Sequence, residues 1–509
     1  MIWTTLLVGI PSLVLAASLV ESRNDSPSIS WSDCYNETIS LRCANFSVPV
    51  DWDNPEGEHF DLFITKLPAR DASTRIGNLF FSPGGPGEPP SDILVPGTSD
   101  LDLFLQKRSV PFFDLIAIDP RGAGRSNPVC CDPRLWNDLP SLFPESKAAC
   151  DEMVAYWKMI GQDCLERTGP FLQFVDTMIA VKDFEAVRIV LGAEPMKFIG
   201  TSYGSQFGAQ DAEVFPDNIR AMVLDGVLDH TQSRPVYNLE TESGAFENGL
   251  NQFFKWCKSE SACALHDETD IPAYFDRLID RANAEPFQLD PQYCRDKRCK
   301  GPLNGYDIAV KALDFISFPN GEHGSPGFVG YSKMLKNASE HGRVEPFARH
   351  VFTSDADFAY SYTAITCADW TFSQENTTYA QYRNLMNLAK TASPHTRGGG
   401  EVWATKTSCQ SWPVPPRNLP HDITTLKDSG KKLATPILMV NAFYDPATSY
   451  AWAVNLQRQL GDENAVLLSR NGIGHTSFAQ HGAVSDAIDE YLINLVVPEA
   501  GTVLQNDGL

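Results

Sequence analysis

The chain has 509 residues, of which 43% are hydrophobic and 21% are charged, a composition typical of a folded globular protein rather than a disordered one. This length exceeds a single compact core and predicts two or more structural units. The net charge of -23 argues against nucleic acid and anionic membranes as partners, because their phosphate groups would repel the protein.

The N-terminus has the pattern of a secretory signal peptide. Residues 6–20 are apolar, and small residues near Ala16 and Ala17 suit cleavage, although no Lys or Arg precedes the run. A membrane anchor is the alternative, but the run is too short for a spanning helix and contains Pro11. We therefore expect residues 1–17 to be a signal peptide and the protein to be secreted, with no membrane partner.

Cysteines and glycosylation sequons agree with a secretory route. The twelve cysteines are an even number and occur mostly as close pairs, which is typical of a disulfide framework. We expect short loops closed by Cys34/Cys43, Cys257/Cys263 and Cys294/Cys299, and the others are Cys130, Cys131, Cys150, Cys164, Cys367 and Cys409. Zinc is the alternative, but the chain has no CxxC pair. The predicted N-glycosylation sites are Asn24, Asn36, Asn45, Asn337 and Asn376.

Strands and helices are predicted to alternate along most of the chain. Short apolar or alternating runs predict strands at residues 46–52, 60–67, 78–82, 113–118, 196–199, 221–224, 436–440 and, as the last, 465–468. Apolar residues at helical spacing predict a helix over residues 176–191, and a second helix follows the fifth of these strands. Such βαβ alternation indicates a mostly parallel sheet.

The middle of the chain departs from this pattern. Residues 230–432 are richer in aromatic residues and cysteines and are predicted to be mainly helical, and they are too numerous for a loop. We therefore expect an inserted cap domain at 230–432 between two parts of an α/β core, 18–229 and 433–509. Residues 397–400, Arg-Gly-Gly-Gly, are expected to form a flexible turn.

Ser202 is the candidate nucleophile. It stands in the pattern Gly-x-Ser-x-Gly between a predicted strand and a predicted helix, which is the context of a nucleophile elbow. The glycines are required because the sharp turn leaves no space for side chains beside the serine. This pattern predicts an α/β-hydrolase fold with a mostly parallel central sheet and a largely helical inserted cap domain.

A serine hydroxyl needs a base, and the expected chain order is serine, acid, histidine. Asp445 and His475 each follow a predicted strand after the cap, so we expect Ser202, Asp445 and His475 to form a catalytic triad. Asp225 and Asp229 are rival acids that follow an earlier strand.

Acyl transfer also needs donors for the developing oxyanion. The backbone N–H of Tyr203 is one candidate, since it follows the nucleophile. The second is expected from the glycine-rich stretch at residues 83–87, where Gly85 is favoured and Gly84 is the alternative. The competing interpretation of this stretch is an ordinary turn.

The motifs described so far resemble the tripeptidyl aminopeptidase and prolyl iminopeptidase branch of the α/β-hydrolases. The similar segments are residues 41–44, 48–55, 83–87, 119–126, 183–188, 200–205, 223–227 and 367–370. The resemblance covers about residues 34–495 and is weakest in the cap. It implies a serine peptidase that removes single residues or short peptides from free N-termini, with cap carboxylates that bind the substrate's amino group.

By this analogy Glu240, Glu242 or Glu247, early in the cap, could bind the amine, because an ammonium group pairs with a partly buried carboxylate. Solvated helix charges are the alternative interpretation of these glutamates. Glu88 departs from the family, which continues its glycine loop with Gly or Ser, so Glu88 could itself meet the amine or mark a reshaped site.

Three functions remain open from the sequence. The first is an aminopeptidase, and the second is a hydrolase or acyl transferase acting on a small-molecule ester, amide or lactone. The third, a catalytically inactive binding protein, is disfavoured by the intact triad. Fold does not decide the substrate. No cofactor or metal is implied, the expected partner is a peptide or small-molecule substrate, and the oligomeric state is not indicated.

Overall fold

The computed structural model describes residues 29–34, 40–294, 299–370 and 377–505. The predicted signal peptide and the sequons Asn24, Asn36 and Asn376 lie outside these ranges. Asn45 and Asn337 are described, and both are exposed. Within the described ranges, no helix has the length and apolar character needed to cross a membrane.

A ten-stranded sheet forms the centre of the protein. Its strands are β1 (Ser32–Asp33), β2 (Arg42–Pro49), β3 (His59–Leu67), β4 (Gly77–Ser82), β5 (Phe113–Ile118), β6 (Met196–Thr201), β7 (Ile219–Asp225), β8 (Ile437–Tyr444), β9 (Ala465–Ile473) and β10 (Val503–Leu504). β9 was expected to be the last strand, and this was wrong: two residues of β10 pair with its far edge. So short a pairing leaves no alternating pattern for a sequence to show.

The sheet is mostly parallel, as predicted. The strand order is β1-β2-β3-β5-β4-β6-β7-β8-β9-β10, with antiparallel pairing only from β1 to β3 and between β3 and β5. The chain leaves β4 toward β5 on one side and returns to β6 on the other, so the winding direction reverses between β4 and β6. Ligands bind outside the carboxyl ends of strands at such a switch point, and the turn at Ser202 follows β6.

Helices cover both faces of the sheet. The core helices are α1 (Pro90–Ile93), α2 (Ser99–Leu105), α3 (Pro133–Trp136), α4 (Lys147–Thr168), α5 (Thr177–Val190) and α6 (Tyr203–Val214), with α15 (Tyr450–Leu460) and α16 (Ala483–Asn494) after the cap. Because strand residues alternate between faces, Phe80 packs in the cluster beneath α5, α6 and α15, while its neighbour Phe81 packs in the cluster beneath α2 and α16. The helix predicted over 176–191 is α5, and the side chain of Asp176 caps it by accepting the N–H of Ile179.

Among the described residues, eight α-helices lie between β7 and β8, where the cap was predicted. They are α7 (Pro235–Ser259), α8 (Ile271–Ala284), α9 (Gly305–Ser317), α10 (Gly327–His341), α11 (Phe358–Asp369), α12 (Tyr379–Ala392), α13 (Glu401–Cys409) and α14 (Thr425–Asp428). Helices α7 to α10 share one apolar cluster. A second cluster joins Tyr360 and Trp403 of the cap to Trp136 and Trp157, which belong to α3 and α4. The helical layer over the sheet is therefore built from two separate stretches of the chain.

Five disulfides connect the described residues. They are Cys34–Cys43, Cys131–Cys164, Cys257–Cys263, Cys294–Cys299 and Cys367–Cys409. The three short loops expected from spacing are all present. Cys130 and Cys150 are unpaired. The disulfide Cys367–Cys409 joins α11 to α13 and so ties together two helices that border the site described below.

Candidate active site

The turn that carries Ser202 connects β6 to α6 at the switch point of the sheet. Ser202 has φ 56° and ψ -126°, a strained backbone conformation for a residue with a side chain. A Cβ atom at Gly200 would lie 2.1 Å from the carbonyl oxygen of Gly204, and one at Gly204 would lie 2.3 Å from that of Ser82. Only glycine fits at both positions, which is why the Gly-x-Ser-x-Gly pattern can form this turn.

His475 lies in the loop after β9 and is paired with Asp445. Its Nδ1 atom is 3.0 Å from Oδ1 and 2.9 Å from Oδ2 of that carboxylate. The carboxylate also accepts the N–H groups of Ala447 and Thr448 and the hydroxyl of Thr448. Because Nδ1 is engaged by Asp445, the other ring nitrogen of His475 is available to the cleft that it shares with Ser202.

Burial and charge act in opposite directions on this pair. Burial alone would raise the pKa of Asp445, but the charge of His475 and the hydrogen bonds from that ring and from Thr448 and Ala447 bring it below its ordinary value. Burial alone would lower the pKa of His475, but the charge of Asp445 and the hydrogen bond to it raise that pKa above its ordinary value. The carboxylate therefore stabilises a protonated imidazole, which a general base needs when it accepts a proton.

Two buried charged side chains hold the loop that carries His475. The loop has positive φ at Gly474 (108°) and Thr476 (59°), so it needs external support. The guanidinium of Arg470 donates to the carbonyls of Ile473, Gly474 and Thr476 and to the hydroxyl of Ser477. Oδ2 of Asp225 accepts the N–H groups of Ser477 and Phe478, each at 2.7 Å.

These contacts define the roles of the two rival acids. Asp225 supports the loop after His475, and its carbonyl accepts the N–H of Ser202 at 2.8 Å. The carboxylate of Asp229 accepts hydrogen bonds from Thr231, Gln232 and Asn455.

Both predicted oxyanion donors lie beside Ser202. Tyr203 is the first residue of α6, so its N–H has no acceptor within the helix, and no side chain caps this helix end. Gly85 lines the cleft together with Ser202. Gly84 packs against the turn itself, where an added Cβ would lie 2.7 Å from the Tyr203 nitrogen. Gly84 and Gly85 have φ values of 106° and 98°, which favour glycine.

The cavity at Ser202 has two parts. The inner pocket is bounded by Glu242, Trp370 and Trp452 and is mostly apolar. The outer cleft opens toward solvent between Glu88, Phe318 and His475. Ser202 borders both parts. A substrate whose scissile carbonyl lies at Ser202 would therefore place one end in the inner pocket and the other in the outer cleft.

A pair of carboxyl groups reaches the inner pocket. Glu242 is buried, its Oε1 accepts the backbone N–H of Glu401 at 2.6 Å, and its Oε2 has no hydrogen-bond partner. Glu401 begins α13 and is exposed to the cavity, where it borders both parts. A Cβ at Gly400 would lie 2.3 Å from Oε2 of Glu242, so the glycine leaves the space that this carboxyl group occupies.

The surroundings raise the pKa of both carboxyl groups into the range of neutral pH. Burial, followed by the charge of Glu401, raises the pKa of Glu242 to about 8, against the opposing hydrogen bonds from the N–H groups of Glu401 and Val402. Desolvation in the cleft raises the pKa of Glu401 to about 7, against the opposing charge of His475. Two carboxyl groups with such raised pKa values in one cavity are typical of a functional site.

The other candidate carboxylates occupy different places. Glu88 lines the outer cleft. Glu240 is exposed on the outer side of α7, in a groove with Tyr237 and Tyr450, so the expectation that it shares a site with Ser202 was wrong. The reason is helical geometry, since residues two apart point to nearly opposite faces. Glu247 is buried and accepts the N–H groups of His395 and Thr396.

Glu401 was missed by sequence reasoning. The feature of the sequence that could have indicated its role is the preceding glycine run at residues 398–400, which was expected to be part of a flexible turn. Gly398, Gly399 and Gly400 are instead buried, and Gly400 packs against Glu242. Over the described ranges, no group of three or more His, Cys, Asp or Glu side chains is arranged to hold a metal ion.

Two family models match the chain. The family described as alpha/beta hydrolase fold matches residues 79–265, which include Ser202, Tyr203 and Gly85. The family described as TAP-like protein matches residues 393–504, which include Asp445, His475 and Glu401. The two matches together contain the predicted triad, both predicted oxyanion donors and the pair Glu242 and Glu401. Trp370 and Phe318, which border the cavity, lie outside both matches.

Several proteins are similar over nearly the whole chain. Serine protease Hip1 of Mycobacterium tuberculosis is 28% identical, over 95% of this chain and 92% of that protein. Carboxylesterase B of the same organism is 29% identical, over 93% of this chain and 89% of that protein. Tripeptidyl aminopeptidase of Streptomyces lividans is 24% identical, over 94% of this chain and 86% of that protein. Because the coverage is nearly complete in both directions, the similarity includes the cap as well as the core.

Proposed function

The chain is a serine hydrolase of the tripeptidyl aminopeptidase branch of the α/β-hydrolases, and on this premise we propose that it is a secreted aminopeptidase that releases short peptides or single residues from free N-termini. The observation that carries the proposal is the unpartnered Oε2 of buried Glu242, beside Glu401, in the pocket next to Ser202. A buried carboxyl oxygen without a partner is costly. An ammonium group would satisfy it.

In the proposed reaction, Oγ of Ser202 attacks the scissile carbonyl while His475 accepts its proton. The developing oxyanion accepts hydrogen bonds from the N–H groups of Tyr203 and Gly85. The C–N bond then breaks, and His475 gives its proton to the leaving amine. Water attacks the acyl-enzyme with His475 again as the base, which releases the N-terminal product and restores Ser202. Asp445 holds the imidazole in the correct tautomer throughout.

The two-part cavity supports a defined direction of substrate binding. In the proposal, the substrate's free amine binds Glu242 and Glu401, and its first residues fill the inner pocket. The rest of the peptide, which becomes the leaving group, lies in the open outer cleft beside Glu88. The path from the two carboxyl groups to Ser202 therefore sets the length of the released product.

Export is part of the proposal. Disulfides form and persist in oxidising compartments, and five of them connect the described residues of this chain. The apolar N-terminal run supports the same route.

The deciding experiment compares one peptide with a free N-terminus and the same peptide acetylated there. Wild-type protein is expected to trim only the free form, and Ser202→Ala to trim neither. Glu242→Gln is expected to lower kcat/KM for the free peptide about 10- to 100-fold, because it removes a charge-assisted hydrogen bond worth about 1.5–3 kcal/mol. Glu240→Gln is the matched control on the same helix and should behave as wild type. Equal cleavage of both peptides would contradict the amine-binding role.

A small-molecule ester is the second candidate substrate. It is favoured by the mostly apolar inner pocket with its two tryptophans, Trp370 and Trp452, and by the similarity to carboxylesterase B. A protein that is labelled at Ser202 by a fluorophosphonate but trims no peptide would favour this candidate.

A further inference from the structure

Cap helix α11 contacts both sides of the predicted oxyanion site. At its N-terminal end Phe358 packs on the glycine loop, where a Cβ added at Gly85 would lie 2.9 Å from the Phe358 ring. One turn later, Ser361 packs on Gly87, and its hydroxyl donates to the carbonyl of Gly122 at 2.7 Å. The first part of α11 therefore fixes the loop that contains one proposed donor.

The last residue of α11, Asp369, meets the other side of the site. Asp369 is completely buried, and its Oδ2 accepts the hydroxyl of Tyr203 at 2.5 Å. The same carboxylate accepts the N–H and hydroxyl of Thr177 at 2.9 and 2.5 Å, Gln206 at 3.2 Å and Asn418 at 3.0 Å. The carboxylate thus joins α5, α6 and the cap at one point directly behind the nucleophile turn.

We propose that Asp369 is a positioning residue for the oxyanion hole: by holding the phenol of Tyr203, it fixes the peptide group whose N–H faces the developing oxyanion. The inference rests on the proposed function, because it takes the Tyr203 N–H as an oxyanion donor. It assigns to the cap a part in the chemistry as well as in substrate binding.

Local geometry explains why such a support is needed. Ser202 is in a strained conformation, and no side chain caps the first turn of α6, so this end of the helix is not stabilised by itself. The phenol of Tyr203 is anchored at its far end by Asp369, and its ring packs in the apolar cluster shared with the cap. A side chain fixed at both ring and hydroxyl leaves its own backbone N–H little freedom to turn.

The hydrogen-bond partners of the Asp369 carboxylate also support a positioning role. The five hydrogen bonds that Asp369 accepts come from uncharged groups. Burying a carboxylate without a cation is expensive, and an apolar side chain would fill the space at lower cost. Preorganised donors in a dry site are, however, a large contribution to acyl-transfer catalysis, and loss of one costs about 100- to 1000-fold in kcat.

The disulfide Cys367–Cys409 extends this arrangement to the amine-binding end of the pocket. It joins the last turn of α11 to α13, and the first residue of α13 is Glu401. The element that positions the oxyanion hole and the element that carries a proposed amine ligand are therefore covalently connected.

The test compares two variants that each remove one hydroxyl donor from the same carboxylate oxygen. Tyr203→Phe removes the phenolic hydroxyl but keeps the ring and the backbone N–H, while Thr177→Val removes the hydroxyl donor that α5 supplies. With p-nitrophenyl acetate, which has no amine, we expect Tyr203→Phe to lower kcat about 10- to 100-fold with KM within about 2-fold, because the donor is displaced rather than deleted. Thr177→Val should keep kcat within about 3-fold.

Two further measurements separate positioning from folding. Asp369→Asn should lower kcat by about the same factor as Tyr203→Phe. The kcat of the double variant should be at most about 2-fold below that of either single variant, as expected for two residues that act as one unit. A peptide aldehyde, whose adduct with Ser202 places an oxyanion in the hole, should bind the Tyr203→Phe variant more weakly by a factor similar to the loss in kcat.

The outcomes are distinguishable from those that test the proposed function. Ester hydrolysis that survives Ser202→Ala would overturn the catalytic assignment and this inference together. Hydrolysis that depends on Ser202 but is equally fast in wild type and Tyr203→Phe would overturn this inference alone. Equal losses in Thr177→Val and Tyr203→Phe would also overturn it, because they would show a general structural role for the carboxylate.

Discussion

Oε1 of Glu242 accepts the backbone N–H of Glu401 at 2.6 Å. The first turn of α13 therefore places the carboxyl group of Glu401 beside that of Glu242. Burial raises the pKa of Glu242, and the charge of Glu401 raises it further. A bound ammonium group would reverse this effect, because it favours the ionised carboxylates. Substrate binding at this pair should therefore displace a proton.

This proton displacement predicts the pH dependence of KM. With the pKa of Glu401 raised to about 7 and that of Glu242 to about 8, both groups of the free enzyme are mainly protonated below pH 7. The substrate's α-amine is protonated there, since its ordinary pKa is about 7.7–8.0. KM for a free peptide should therefore rise as pH falls below 7, by up to about 10-fold per pH unit for one displaced proton.

Glu401→Gln tests whether Glu401 contributes to the pH dependence of KM. We expect it to raise KM for the free peptide about 10-fold at pH 8, because one charged partner of the amine is lost. KM for an acetate ester, which has no amine, should be flat across the same pH range in both proteins. A peptide KM that does not change between pH 5.5 and 8 would argue against amine binding at this pair.

The decrease of kcat/KM at low pH, the acid limb of the pH profile, depends on the pKa of His475. Its pKa is raised above the ordinary value of 6.5 by Asp445, against the effect of burial, and Glu401 and Asp225 raise it further. Only the neutral ring can act as the base, so kcat/KM for an acetate ester should fall as pH decreases through a value above 6.5. At pH values above about 7, where Glu401 is ionised, its charge favours the protonated ring, so Glu401→Gln should move that part of the profile toward lower pH. A limb below 6.5 in the wild type would contradict this electrostatic account.

Arg470 should be important for both stability and rate. Its buried guanidinium satisfies three carbonyls and one hydroxyl in the loop that positions His475, beside the buried carboxylate of Asp225. Arg470→Lys cannot reproduce this planar set of donors, and we expect a loss of about 2–4 kcal/mol in the free energy of unfolding. The rate constant kcat should also fall, since the imidazole would be held less firmly.

Urea unfolding and ester hydrolysis measure the two effects separately. Arg458→Lys is a suitable control, because Arg458 is an exposed arginine on α15. If Arg470→Lys is as stable and as active as that control, the loop does not depend on the guanidinium contacts.

The parts of this fold that a sequence can predict are those with local patterns. β4 to β9 are apolar runs, and the turn at Ser202 is marked by glycines that its tight backbone requires. Asp445 and His475 could be predicted because each follows such a strand in a fixed order. Glu401 and Asp369 could not, since their roles depend on which helices of the cap meet over the sheet.

The cap shows the same limit on a larger scale. Helix α4 lies before the predicted cap in the sequence, yet Trp157 on it packs with α3 and α11. Neither the length nor the composition of residues 147–168 indicates that they cover the site rather than the sheet. Helix α7 is a similar case: the family resemblance suggested three of its glutamates as amine ligands, but only the three-dimensional packing distinguishes buried Glu242 from exposed Glu240.

The unpaired cysteines allow a final prediction that separates this disulfide framework from a fully paired one. Cys150 and Cys164 are fourteen residues apart on α4, which is about 21 Å along a helix. The Cα atom of Cys131 lies 4.4 Å from that of Cys164, and Cys130 is its neighbour in the chain. Cys130 is therefore roughly 13 Å or more from Cys150, well beyond the limit of about 7 Å for a disulfide.

Two thiols per chain should consequently react with a thiol reagent after unfolding without reductant. In the native protein Cys130, which is partly exposed, should react slowly at pH 8, because burial and the nearby charge of Asp355 raise the pKa of its thiol. Buried Cys150 should react only after unfolding. Cys130→Ser should remove the slow native reaction, and Cys150→Ser should remove one thiol from the unfolded protein alone. An unfolded wild-type chain with no reactive thiol would mean that a sixth disulfide forms and that α4 packs differently from the arrangement described.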